Sequence, residues 1–341
     1  MLKLTIGSVF GACLLSALAH GADAELPTQP ARDPALDAYA SPAQRIDIGS
    51  GRSLNLRCSG AGKSTVVLEA GFGADSMAWA KLQPLLAKTM RVCAYDRAGY
   101  GFSDPGPLPR NLDAEVADLH ALVHAADIDM PAIFVGHSIG SNIVRRYDQL
   151  HAGDVAALVL IDPPPQDVAA FSPTYAKVEA QMAPAMLQAY RACGQAAKEG
   201  KLAADPLPPE LRSCLRPPSP AYSERLNAAL RTYKSSPAFW DTILSASEAK
   251  IGLFDAPVPP DEKHGNKPLI VLTALDAYAG AAADDRKALE AAQKRTHEAL
   301  AASSKAGRRI DVPHASHELQ SDDPQAVLDA VRSAEQRLSK P

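Results

Sequence analysis

The sequence predicts an α/β chain, with a mainly parallel β-sheet covered by helices on both faces and a helical insertion between two of its later strands. Three observations carry this. Apolar runs at Thr65–Glu69, Arg91–Tyr95, Ala132–Val135, Ala157–Ile161, Pro268–Thr273 and Arg309–Val312 are interspersed with helical patterns at Trp79–Lys88, Leu112–Ala126, Asn142–His151 and Gln325–Leu338. Strands that alternate with helices call for parallel pairing, because each crossover lays a helix on the sheet. From Pro163 to Asn266 the alternation stops: Tyr175–Glu199, Ser223–Lys234 and Ala238–Lys250 read as helices, and no strand is evident. The 341 residues, 46% hydrophobic with a net charge of -4, suit one large globular domain carrying such an insertion.

In chain order, residues 1–24 read as a secretory signal peptide. Lys3 precedes an apolar core from Leu4 to Ala19, too short for a membrane span, and Ala22-Asp23-Ala24 is a small-x-small cleavage site. The expected mature protein is therefore exported, periplasmic or secreted, and begins near Glu25. A Pro-rich, extended linker occupies 25–44. Arg45–Ile48 and Leu54–Cys58 flank Gly49-Ser50-Gly51 and read as a hairpin. The core is expected at 45–162 and 267–341, with a helical cap at 163–266.

Residues Gly60 to Ser64 end in Gly-Lys-Ser, yet they do not make a phosphate loop. Arg57 stands where that motif needs its first glycine, and a strand rather than a helix follows the lysine. No nucleic-acid partner is expected either, because the pairs Arg145-Arg146 and Arg308-Arg309 are isolated in a mildly acidic chain. Once Cys13 leaves with the leader, Cys58, Cys93, Cys193 and Cys214 remain. An even number in an oxidising compartment implies two disulfides, with three pairings open.

The chemistry centres on Gly136-His137-Ser138-Ile139-Gly140, which follows a strand and opens a helix. Glycines beside the serine allow the tight turn that raises its hydroxyl at the C-terminal edge of the sheet. On these residues, together with LEAGFGADSMAW (68–79) and RVCAYDRAGYGFSD (91–104), the chain resembles the α/β-hydrolase family, in particular its exported, cysteine-containing esterase-like members. Two departures stand out. Ala70 replaces a frequent histidine, and Ser141 replaces a second glycine, which predicts a crowded helix start.

The resemblance implies a Ser-His-Asp triad. Ser138 is the nucleophile. His317 is the base, preferred over His314 by its spacing to Pro324. Asp276, past the strand ending at Thr273, is the orienting acid, with Asp162 as the alternative position. The backbone N–H groups of Phe72 and Ile139 form the expected oxyanion hole. His137 is expected to pack behind the site, and Asp96 with Arg97 to form a bracing pair. The resemblance also implies pairing of Cys58 with Cys93, on neighbouring strands, and of Cys193 with Cys214, within the cap. The expected substrate is a small ester or lactone, cleaved without metal or cofactor. A peptidase, thioesterase, acyltransferase or non-catalytic binding protein on the same fold is the alternative.

Overall fold

The computed structural model describes residues 32–249 and 256–338, so the leader read at 1–24 lies outside the described residues. Its centre is an eight-stranded sheet: β1 (Gln44–Asp47), β2 (Ser53–Ser59), β3 (Thr65–Glu69), β4 (Arg91–Tyr95), β5 (Ala132–His137), β6 (Val155–Ile161), β7 (Pro268–Ala274) and β8 (Ala306–Val312). The spatial order is β1-β2-β4-β3-β5-β6-β7-β8. β2 runs antiparallel to β1 and β4, and all other pairs are parallel.

The helices are α1 (Gln83–Leu86), α2 (Leu112–Ala125), α3 (Ile139–Leu150), α4 (Pro173–Lys198), α5 (Glu224–Lys234), α6 (Pro237–Glu248), α7 (Ala283–Ala302), α8 (Leu319–Asp322) and α9 (Pro324–Leu338). Successive strand side chains alternate between the faces, which divides the core in two. Val66, Leu68, Val135, Val159 and Ile270 pack with Trp79, Leu86 and Val331 on one side. Val67, Phe134, Leu158 and Val271 pack with Leu119, Val123, Ile143 and Tyr147 on the other. Each such side chain, fully buried, contributes roughly 1.5–3 kcal/mol.

Three elements differ from the sequence expectation. Pro34–Ala40, inside the segment read as extended, is a 3-10 helix: Pro34 presets its first turn and the Asp33 carboxylate accepts from Ala35 N–H at 2.9 Å. Trp79–Lys88, read as one helix, is a 3-10 turn at Ser76–Trp79 and then the short α1. The 20-residue helix α7 occupies a segment where no element is expected. Its buried stripe, Ala288, Ala292, Thr296 and Leu300, is mostly small, so the periodicity is faint on a hydrophobicity scale.

The Gly-Lys-Ser segment is explained by packing. A Cβ at Gly62 would come within 2.2 Å of the Thr89 carbonyl oxygen, and one at Gly60 within 2.3 Å of the Met90 oxygen. These glycines let the β2–β3 turn lie directly on the chain entering β4.

Both disulfides join the expected partners. Cys58 and Cys93 face each other across the β2–β4 ladder, and Cys193 links to Cys214 in the helical segment between β6 and β7. Non-reducing peptide mapping should recover these two cross-links. Opening the second by Cys193→Ser with Cys214→Ser should lower stability by about 3 kcal/mol, from the entropy of its 21-residue loop, read as a reduced urea midpoint. Among the described residues no helix is long and apolar enough to cross a membrane.

Candidate active site

β5 delivers Gly136 and His137 to the edge of the sheet, and Ser138 makes the turn into α3 with φ 54° and ψ -127°. A side chain rarely adopts that conformation, and it persists because its surroundings fix it. Ser138 N–H donates to the Ile161 carbonyl at 2.9 Å, and Ser141 N–H to the Ser138 carbonyl at 2.9 Å. A Cβ at Gly140 would sit 2.4 Å from the Glu69 carbonyl oxygen, so β3 and the start of α3 approach at backbone distance. The crowding expected at Ser141 is absorbed, since its buried hydroxyl donates to the Gly136 carbonyl at 2.8 Å. The helix that begins here aims its first N–H groups past the serine.

His317 lies in the loop between β8 and α8. Its Nδ1–H donates to Asp162 Oδ2 at 2.7 Å. Asp162 immediately follows β6, is 1% exposed, and is fixed from its other side: Oδ1 accepts from Ala274 N–H at 3.1 Å and Gln293 Nε2 at 2.8 Å. Burial pulls the His317 pKa down, but the Asp162 hydrogen bond and charge outweigh it, and the net shift is upward.

The pairing of Asp276 with His317 is therefore corrected. Asp276 lies two residues beyond β7 and is half-exposed, and the nearest imidazole is that of the highly exposed His314, at 3.8 Å. The carboxylate that reaches His317 belongs to the preceding strand. The side chains of Phe72 and Ile139 pack together with Ala246 of α6.

Asp96 and Arg97 do not pair with each other either. Successive residues beyond a strand face opposite ways. Asp96 accepts from Asn55 Nδ2 and Ser76 N–H, both at 2.8 Å. Arg97 turns to β3, donating at 2.6 Å to Glu69 Oε1, the Ala70 carbonyl and the Gly71 carbonyl. One buried guanidinium thus holds the two carbonyls that precede Phe72 N–H. Burial pushes the Glu69 carboxyl up to about 6 despite Arg97. The charge closing the apolar run Thr65–Glu69 is a sequence signal for this pairing, whereas nothing in the sequence singles out Gln293.

His137 supplies a second brace. It is buried, and its Nε2 lies 2.8 Å from the His317 carbonyl oxygen. A carbonyl only accepts, so Nε2 carries the proton. Burial, with repulsion from His317, lowers its pKa to about 4 and keeps the ring neutral. A Cβ at Gly71 would come within 2.9 Å of His137 Nδ1 and 3.3 Å of Ser138 Cβ, so the Gly71–Phe72 loop rests on the serine turn.

The largely parallel sheet and the strand–serine–helix turn define the α/β-hydrolase class of fold. Residues 66–330 match the model of the alpha/beta hydrolase family, and the chain belongs to that family. It is 35% identical over 108 residues to an uncharacterized protein of Bacillus subtilis, covering 32% of this chain and 43% of that one. It is also 35% identical over 118 residues to the 2-hydroxymuconate semialdehyde hydrolase of a Pseudomonas species, covering 33% of this chain and 41% of that one. The chain thus spans under half the length of these curated relatives. A thermophilic esterase from Thermogutta terrifontis superposes over 87% of this chain and all of its own, with a TM-score of 0.56 at 18% identity. That last likeness concerns the fold.

Proposed function

We propose that the protein is an exported serine hydrolase that cleaves a small carboxylic ester or lactone through an acyl-enzyme. The observation that carries this reading is the 2.7 Å bond from His317 Nδ1–H to Asp162, on a loop whose residue 317 carbonyl is bonded to His137, next to the strained Ser138 turn. With Nδ1 committed as donor, only Nε2 is free to take the serine proton. Ser138 Oγ bonds to the acyl carbon as its proton passes to His317. The developing oxyanion accepts from Phe72 and Ile139 N–H, and collapse expels the alcohol, which takes the proton from His317. Water activated by the same imidazole then releases the acid and restores Ser138. The helices at 163–266 form the cap that selects the substrate, with Phe72, Ile139 and Ala246 offering it an apolar wall. The two disulfides support an oxidising destination.

A fluorophosphonate probe, which reacts only with an activated serine, should label the protein at Ser138, and p-nitrophenyl esters of graded chain length should be turned over. Failure of both would leave the fold without this chemistry. The pH profile follows from His317. Protonated, it cannot accept the serine proton, and Asp162 raises its pKa. kcat/KM should therefore be low in acid and rise through one ionisation above the ordinary histidine value of about 6.5. A profile already flat by pH 6 would contradict the pairing.

A further inference from the structure

We propose that a second site, remote from Ser138, binds a divalent cation of the zinc or copper(II) class through His120, His151 and Asp154, with His124 beside them. One ligand atom from each of the first three lies within 4.8 Å of the others. His120 and His124, four residues apart on α2, share a helix face. His151 caps the C-terminus of α3, and Asp154 closes the 3-10 turn that leads into β6.

The carboxylate is the hub. Asp154 Oδ2 lies 3.1 Å from His124 Nε2 and 3.5 Å from His120 Nδ1. It also accepts the hydroxyl proton of Tyr147 at 2.7 Å, and Tyr147 is wholly buried. A rigid outer partner of this kind is what orients a ligating carboxylate. The imidazoles are tightly grouped: His120 stacks on His151 with centroids 3.8 Å apart and meets His124 at 4.3 Å.

Two imidazoles and one carboxylate are ligands that zinc and copper(II) accept. Calcium and magnesium require oxygen ligands throughout. The location excludes a part in the ester chemistry. β6 separates Asp154 from Asp162 by its full length, about 25 Å at the usual rise per residue. The cation would instead clip α2 to the α3–β6 connection, and its binding energy would add to folding stability.

The test uses the full chain, free of any histidine tag, in the His317→Ala background so that the active-site imidazole supplies no signal. ZnCl2 at about 100 times its Kd should multiply the folding constant about 100-fold and raise Tm by about 5 °C, while MgCl2 should leave it unchanged. Adding His120→Ala and His151→Ala should abolish the zinc shift, whereas His314→Ala should preserve it. No shift with zinc, or a shift that survives the double substitution, overturns the proposal. If the double variant does not fold, the electron paramagnetic resonance spectrum of the CuCl2-loaded parent decides. Coupling to two or more nitrogens supports the site, and one or none overturns it.

Discussion

Ser138→Ala is expected to abolish fluorophosphonate labelling and lower turnover by about 10⁶-fold, the loss seen when a serine protease loses its nucleophile. Only Oγ disappears. The Ser138 N–H still donates to the Ile161 carbonyl and its carbonyl still accepts from Ser141, because both bonds are made by the backbone. The far-UV spectrum and both disulfides should therefore be unchanged, which separates lost chemistry from lost structure. His317→Ala should fall comparably. His314→Ala should keep near-parental activity, since that ring is highly exposed and its nearest carboxylate is the half-exposed Asp276. Substantial turnover by the Ser138→Ala protein would overturn the mechanism.

The second large effect separates the two candidate acids. Asp162→Asn should cost about 10⁴-fold in turnover, by analogy with the same exchange in a serine-protease triad, and Asp276→Asn little. Asparagine is the informative choice at 162 because that residue has φ 43°, which asparagine tolerates better than most side chains. It also keeps an oxygen to accept from Ala274 N–H and Gln293. What changes is the group presented to His317. An amide N–H in place of Oδ2 makes Nδ1 the acceptor and puts the ring proton on Nε2, where it opposes removal of the serine proton. An unimpaired Asp162→Asn protein would return the orienting role to another group.

The framework was largely legible because strands buried on both faces read as unbroken apolar runs, and the starts of β3, β4 and β7 match those runs to the residue. The serine turn was legible for a related reason: only glycine fits where the start of α3 meets β3, at Gly140, and the end of β5, at Gly136, at backbone distance, so the two glycines mark it in one dimension. The carboxylate partner of His317 was less accessible. Asp162 and Asp276 both follow strands at the same edge, and chain position does not tell which carboxylate faces inward. That depends on the left-handed backbone at Asp162 and on Gln293, which sits on the helix the sequence pattern missed. The bracing by Arg97 was misread because its partner, Glu69, is a neighbour across the sheet and not along the chain.

The bond from His137 to residue 317 bears on how this candidate site tolerates change. His137 grips the peptide carbonyl of residue 317, a group distinct from the imidazole whose ring lies 4.8 Å away between centroids. Any residue at 317 offers the same carbonyl, so the anchorage of the loop is indifferent to the chemistry it carries. Scaffold and reactivity are thereby uncoupled at one position. A descendant of this chain can exchange the side chain at 317 while retaining this anchor, which gives the fold a structurally undemanding route to a binding protein.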